Sequence, residues 1–135
     1  ASDLGTGSGG VLNDGVCNGT EACVYIDKIT AIYWAPKTST DYTWENGITY
    51  CENLVFGTYS DWRMPTQKEM NQFFIDNGYS LKSSTNQLNV TFSVYWTSTT
   101  ASNNSANAWG VEPLLFNTDA TKATTTRPIL CMRAN

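Results

Sequence analysis

The amino-acid sequence predicts an α+β domain, and three observations carry that prediction. Two stretches in the middle of the chain place apolar residues at helical spacing behind a start signal. From Leu88 onward the chain breaks into short β-type segments divided by Asn, Ser, Thr and Asp clusters. The 135 residues suit one core and leave little room for a second.

The elements follow in chain order. Residues 1–10, ASDLGTGSGG, have no apolar periodicity and read as a linker or a joint to something upstream. The boundary is set after residue 16, with 17–135 as a single domain. Without an initiating Met or a signal peptide, the chain reads as a mature or excised fragment. Val24 to Trp34 is rich in β-branched and aromatic residues and is expected to form one strand, ended by Pro36. Thr43 is expected to cap a helix over TWENGITYCENLVF, with Trp44, Ile48, Cys51 and Val55 on its inward side and Gly57 at its end. Gly47 is the weak point of that helix. In DWRMPTQKEMNQFF, Thr66 and Glu69 form a capping box, and Met70, Phe73 and Phe74 supply a buried face before Gly78 stops the helix. The segments VTFSVYWTSTT, NAWGVEPLLF and RPILCMR are the expected later strands.

Composition excludes several functions. Eight Lys and Arg stand against twelve Asp and Glu, for a net charge of -4, and no basic run offers a surface for nucleic acid. No apolar stretch is long enough for membrane insertion. The absence of His, and of any CxxC pair, argues against zinc, and no cofactor motif is present. Asp27, Asp41, Glu45, Asp61, Glu112 and Asp119 show no spacing that sets two on one local face, so an enzyme is not expected. The 17 aromatics (five Trp, seven Tyr, five Phe) are enough for a core without a prosthetic group. Only 15% of residues are charged, so hydrogen-bonding side chains replace ionic ones.

Cys17, Cys23, Cys51 and Cys131 are an even set and point to disulfides in an oxidising, extracellular compartment. Three pairings are open to four cysteines, and four buried thiols are the competing reading. The favoured pairing is Cys17 with Cys23 and Cys51 with Cys131, the second closing a loop worth about 4 to 5 kcal/mol. Sequons at Asn18, Asn89 and Asn103 are weak signals in so Asn- and Thr-rich a chain.

Trp62-Arg63-Met64-Pro65-Thr66, Tyr95-Trp96-Thr97-Ser98-Thr99, Ala108-Trp109-Gly110-Val111 and Cys131-Met132-Arg133 occur in that order. Together they resemble the C-terminal domain family of the Legionella collagen-like protein, over roughly residues 30–133. The resemblance implies a C-type-lectin-like fold with a small, mainly antiparallel twisted sheet. It also implies a cysteine of the first helix paired with one of the last strand, which matches Cys51 and Cys131. For function it implies an extracellular adhesin or fibre tip, commonly a homotrimer, that recognises glycans or other cell-surface ligands. Relatives that hold sulfated polysaccharides use basic surface, so this acidic chain points to a neutral sugar, a peptidoglycan fragment or a protein. Glu112-Pro113 is followed by Leu114, which departs from the triplets of calcium-dependent lectins, and no metal is expected there.

In that superfold the chain between Trp96 and Trp109 lies in exposed, ligand-binding loops. The residues it nominates are Ser98, Thr100, Ser102, Asn103, Asn104, Asn107, Trp109 and Glu112. The competing reading makes both tryptophans core and the loop merely solvated. Arg63 is expected to be structural, bonded to Asp61, Glu69 or backbone carbonyls, and the same holds for Arg127 and Arg133. Tyr33, Trp34, Tyr42 and Trp44 could stack on a sugar, with core packing the favoured use. The alternative to an adhesin is a structural trimerisation or capping module of a fibre without a ligand.

Overall fold

The computed structural model describes residues 24–27, 29–77 and 90–134. The elements are β1 (Tyr25–Ile26), β2 (Tyr33–Trp34), α1 (Trp44–Asn53), α2 (Gln67–Asn77), β3 (Tyr95–Thr100), β4 (Asn107–Val111), β5 (Asn117–Thr121) and β6 (Met132–Arg133). They form an α+β fold with two three-stranded antiparallel sheets, β1-β2-β6 and the meander β3-β4-β5, where the sequence had suggested one.

Strand alternation explains how so short a chain builds two cores. Side chains of successive strand residues leave opposite faces of a sheet. Tyr95 and Val111 therefore join Met70, Phe73 and Phe74 of α2, while Trp96 and Ala108 join Cys51 of α1 and Ile129. The same alternation runs through the last segment. Leu130 and Met132 enter the α2 core, and Ile129 and Cys131 enter the α1 core.

The capping box of α2 is present. The Glu69 N–H donates to Thr66 Oγ1 at 3.2 Å, and the Thr66 N–H donates to Glu69 Oε1 at 2.9 Å. Met70, Phe73 and Phe74 are buried as expected. Gly78 lies outside the described residues. In α1, Gly47 is buried because a Cβ there would sit 2.5 Å from Ile129 Cδ1, so packing demands the residue that propensity disfavours. The helix ends at Asn53, earlier than expected. Val55 lies beyond it and is 73% exposed, so it does not continue the apolar side. Thr43 has N-cap geometry but makes no capping bond through its side chain.

The strand expected over 24–34 is instead a hairpin. Asp27 reverses the chain: its Oδ1 accepts the Ile29 N–H, its carbonyl accepts the Ala31 N–H, and its own N–H donates to the Ile32 carbonyl. Ala31 completes the reversal at φ 61°, a conformation disfavoured for a residue with a Cβ.

Cys51 and Cys131 form a disulfide across Cα atoms 5.5 Å apart. The bond ties α1 to the segment leading into β6. Cys17 and Cys23 lie outside the described residues.

Candidate functional site

The candidate site is built on the connection between β3 and β4. Tyr95 and Trp96 pair with Val111 and Gly110, and the register then slips so that Thr100 faces Ala108. At this bulge the outer edge of β3 is covered. The Ser98 N–H donates to the Pro65 carbonyl, the Trp44 indole donates to the Thr97 carbonyl, and the Gln67 N–H donates to Thr99 Oγ1. Buried Thr97 turns its hydroxyl to the Trp109 carbonyl at 2.8 Å.

Beyond the bulge, residues 101–107 form a closed double turn. The Ala101 N–H bonds the Asn107 carbonyl, the Asn104 N–H bonds the Ala101 carbonyl, and the Asn107 N–H bonds the Asn104 carbonyl. Asn104 Oδ1 accepts the Ala106 N–H, and the Lys122 N–H ties the Ala106 carbonyl to the end of β5. Asn107 Nδ2 donates to Asp119 on the neighbouring strand. Ser102, Asn103 and Ser105 are exposed, and their side chains have no hydrogen-bond partner among the described residues.

Beside this apex runs a cleft of about 390 Å³ lined by Thr43, Glu45, Asn46, Lys122 and Ala123. Lys122 spans the two features. Its Nζ lies 4.1 Å from the Trp44 ring centroid and donates to Thr100 Oγ1 at 2.8 Å. The start of α1 and the apex are therefore one continuous surface. The sequence pointed to Thr43 only as a helix cap and did not single out Lys122 or Asn46, because nothing local connects the start of α1 with a residue as distant in the chain as Lys122.

The nominated residues divide. Thr100, Ser102, Asn103, Asn104 and Asn107 gather at the apex, and Ser98 is half-buried at the bulge with its backbone engaged. Trp109 is half-buried in mid-strand opposite Asp119, whereas Trp96 is fully buried with its indole donating to the Tyr42 carbonyl. Glu112 lies past the far end of β4, in a turn closed by its N–H to the Phe116 carbonyl. It is not brought to the apex.

The arginines serve the frame. Arg63 grips Glu69 with two bonds at 2.8 and 2.7 Å, which holds the Glu69 carboxyl below its ordinary pKa. Arg133 grips Asp61 in the same way and lies 3.9 Å from the Tyr59 ring centroid. Arg127 stacks on Trp96 at 4.6 Å and is lowered in pKa by burial, opposed by Asp119. Among the aromatics, Trp34 packs in the α2 core, and Tyr33, Tyr42 and Trp44 pack partly buried against the α1 core.

Among the described residues no three His, Cys, Asp or Glu side chains converge in a way that could hold a metal ion. No described helix is long and apolar enough to cross a membrane. A disulfide-tied α+β frame thus holds a polar loop, closed by backbone hydrogen bonds, beside a cleft. The Lcl C-terminal domain family matches residues 23–134, and the chain belongs to that family. Membership points to a surface- or fibre-associated module and not to a known family of enzymes. Among curated proteins, no sequence matches this chain.

Proposed function

We propose that this domain is a non-enzymatic adhesin, the extracellular tip of a bacterial surface fibre, and that it recognises a neutral glycan or another surface ligand through the β3–β4 apex. The observation that carries the reading is the division of labour in the apex. Its backbone and Asn104 are spent on closing the loop, while Ser102, Asn103 and Ser105 remain outward and unengaged beside the Lys122 cleft. A preorganised loop loses little freedom on binding, so small polar side chains suffice for a shallow contact. The Gly- and Ser-rich sequence 1–16 serves as the joint to a stalk, and the frame is C-type-lectin-like. Three copies on one fibre convert weak single sites into avidity wherever the target presents ligands at matching spacing. A glycan and cell-wall array probed with the native oligomer and with a forced monomer tests this. Binding by the oligomer well above the monomer is expected, and equal binding removes the multivalent mechanism.

A second reading is supported by the opposite end of the meander. Leu114, Leu115 and Phe116 in the β4–β5 turn are 57, 42 and 64% exposed, and Phe92, just before β3, is 64% exposed. Apolar residues grouped on a surface favour association, so the module could instead trimerise or cap a fibre without a ligand of its own. Sedimentation of the Phe92→Ser, Phe116→Ser variant separates the two readings. Loss of the oligomer with retained monomer binding on the array favours adhesion, and loss of the oligomer with no binding in either form favours capping.

A further inference from the structure

Of the five tryptophans, Trp34 lies in the α2 core, Trp62 and Trp96 lie in the α1 core, and Trp44 packs against the latter, while Trp109 joins neither. Trp109 is half-buried in β4, and its indole N–H has no hydrogen-bond partner among the described residues. That N–H is open to solvent, since the buried side-chain nitrogens left without a partner among the described residues are those of Trp34 and Arg133. Sheet pairing does not account for the residue either. Its cross-strand neighbour is Asp119, not the aromatic or β-branched partner that gives such a pair its stability.

Strand alternation puts Asn107, Trp109 and Val111 on one face of β4, and the register with β5 adds Asn117, Asp119 and Thr121 to it. At one end of that face Val111 enters the α2 core, and Asn117 bonds Gln67 and Asn71 of α2. Nearer the apex, Asn107 is half-buried, and Asp119 and Thr121 are exposed. Asn107 Nδ2 donates to Asp119 Oδ2 at 3.1 Å, while Asp119 Oδ1 and the Thr121 hydroxyl have no partner among the described residues. Arg127 acts on Asp119 only through its charge and from the opposite face, where it stacks on Trp96 and would meet a Cβ at Gly110.

Trp109, Asp119 and Thr121 therefore offer an apolar ring, a fixed donor in the indole N–H, an open carboxylate oxygen and a hydroxyl that both donates and accepts. An exposed carboxylate with no cation bonded to it repels an anion. A simple cation would use the ring and the carboxylate but leave the indole donor unmatched. An uncharged pyranose meets every group, with its C–H face against the ring and its hydroxyls on the polar atoms.

We propose that Trp109, Asp119 and Thr121 form a pyranose-binding subsite on this face of the sheet, with Asn107 fixing the Asp119 carboxylate. Hydroxyls of the sugar donate to Asp119 Oδ1 and accept from the Trp109 N–H. The subsite adjoins the apex through Asn107, so a longer glycan crosses from one to the other. It deepens the adhesin reading, on which it rests for the class of ligand alone.

The test uses the intact, isotope-labelled chain and follows the Trp109 indole N–H by nuclear magnetic resonance, the signal being the one lost in Trp109→Phe. Probes are methyl β-glucopyranoside, methyl β-galactopyranoside and methyl α-mannopyranoside, with glucitol, methyl β-glucuronide and tetramethylammonium for comparison. A saturable shift with at least one of the neutral pyranosides is expected, at least about tenfold weaker with open-chain glucitol and with the anionic glucuronide. Asp119→Asn, which removes the charge at an exposed position, is expected to weaken the response about tenfold, and an unchanged response overturns the assignment. An unmoved signal with every pyranoside, while the glycan array still binds the chain, overturns the subsite and leaves the apex reading standing. Silence in both overturns the two together. A response to glucitol equal to that of the pyranosides overturns ring recognition, and a response to tetramethylammonium alone overturns the sugar in favour of a cation.

Discussion

The two turns of the β3-β4-β5 meander differ in chemistry while sharing a construction. Both are closed by backbone hydrogen bonds: Ala101 to Asn107 at one end, and Glu112 to Phe116 at the other. At the first, Ser, Asn and Ala face outward; at the second, Leu114, Leu115 and Phe116 do. Five strand residues separate them, about 17 Å at 3.3 Å per residue. Order is therefore not what distinguishes the ends. A polar turn keeps its solvation until a hydrated partner replaces it, whereas an apolar turn gains by losing water to protein. One sheet thus carries surfaces of opposite chemistry at its two ends, and Glu112 belongs with the second.

The largest expected effect tests whether the ends share one frame. Replacing Cys51 and Cys131 with Ala opens a loop with a sequence separation of 80, expected to cost about 4 to 5 kcal/mol on the chain-entropy account. Urea unfolding, followed by hydrogen exchange at residues 101–107 and 112–116, should show both turns losing protection together. Separate transitions would mean that the ends are independent units.

Next in size is Gly110→Ala, at the fourth residue of β4. A Cβ there would collide with the Arg127 guanidinium and stand 2.6 Å from Val94 Cγ1. Arg127 also stacks on Trp96 and bonds the Thr118 carbonyl, so it cannot withdraw freely. A loss of about 1–3 kcal/mol is expected in thermal or urea unfolding. A neutral result would show that the guanidinium is mobile and the sheet is less firmly braced than its contacts imply.

Acid tests the helix that braces both ends. Glu69 is held below its ordinary pKa first by Arg63 and also by the Thr66 N–H. Its contribution is complete above the unfolded value of about 4.3 and is lost as pH falls through the lower folded value. The pair is partly exposed, so about 1 kcal/mol is at stake. Because α2 holds both ends of the meander, Gln67 bonding Thr99 beside the bulge and Gln67 and Asn71 bonding Asn117 beside the apolar turn, acidification below about pH 4 should raise hydrogen exchange at both turns together. Arg63→Ala should abolish that part of the pH dependence.

What was legible in the sequence follows the reach of each interaction. The α2 start could be read because Thr66 and Glu69 lie three residues apart and satisfy each other. The β1–β2 reversal was missed: Asp27 makes an ordinary side-chain turn, but it lies alone in an apolar, β-branched run, and the residue at positive φ is Ala31 in place of Gly or Asn. Likewise β5, with sequence NTDAT, has little strand character and exists because β4 pairs with it at five positions. Of the candidate site, the loop itself was visible as a run of small polar residues. Its Lys122 partner was not, since cation, ring and hydroxyl meet only in three dimensions.

A smaller effect sharpens the apolar end. Leu115 sits at φ 69°, where a branched side chain is strained. Leu115→Asn should raise stability by up to about 1 kcal/mol while lowering self-association in sedimentation. A gain in stability with unchanged association would mean that the strained leucine is not retained for contact.

The smallest effect on stability is the most informative about function. Asn104 and Asn103 are neighbours of the same type, yet Oδ1 of Asn104 closes the turn on the Ala106 N–H at 3.0 Å, whereas Asn103 is exposed with no such bond. Asn104→Ala should cost about 0.5–1.5 kcal/mol and increase hydrogen exchange at residue 106. Asn103→Ala should stay within about 0.5 kcal/mol of the parent. If the polar turn is a contact surface, Asn103→Ala nevertheless weakens array binding at least as much as Asn104→Ala does. Binding that tracks stability across the pair, falling with Asn104→Ala and untouched by Asn103→Ala, would make the turn a structural closure of the sheet and move recognition elsewhere on the domain.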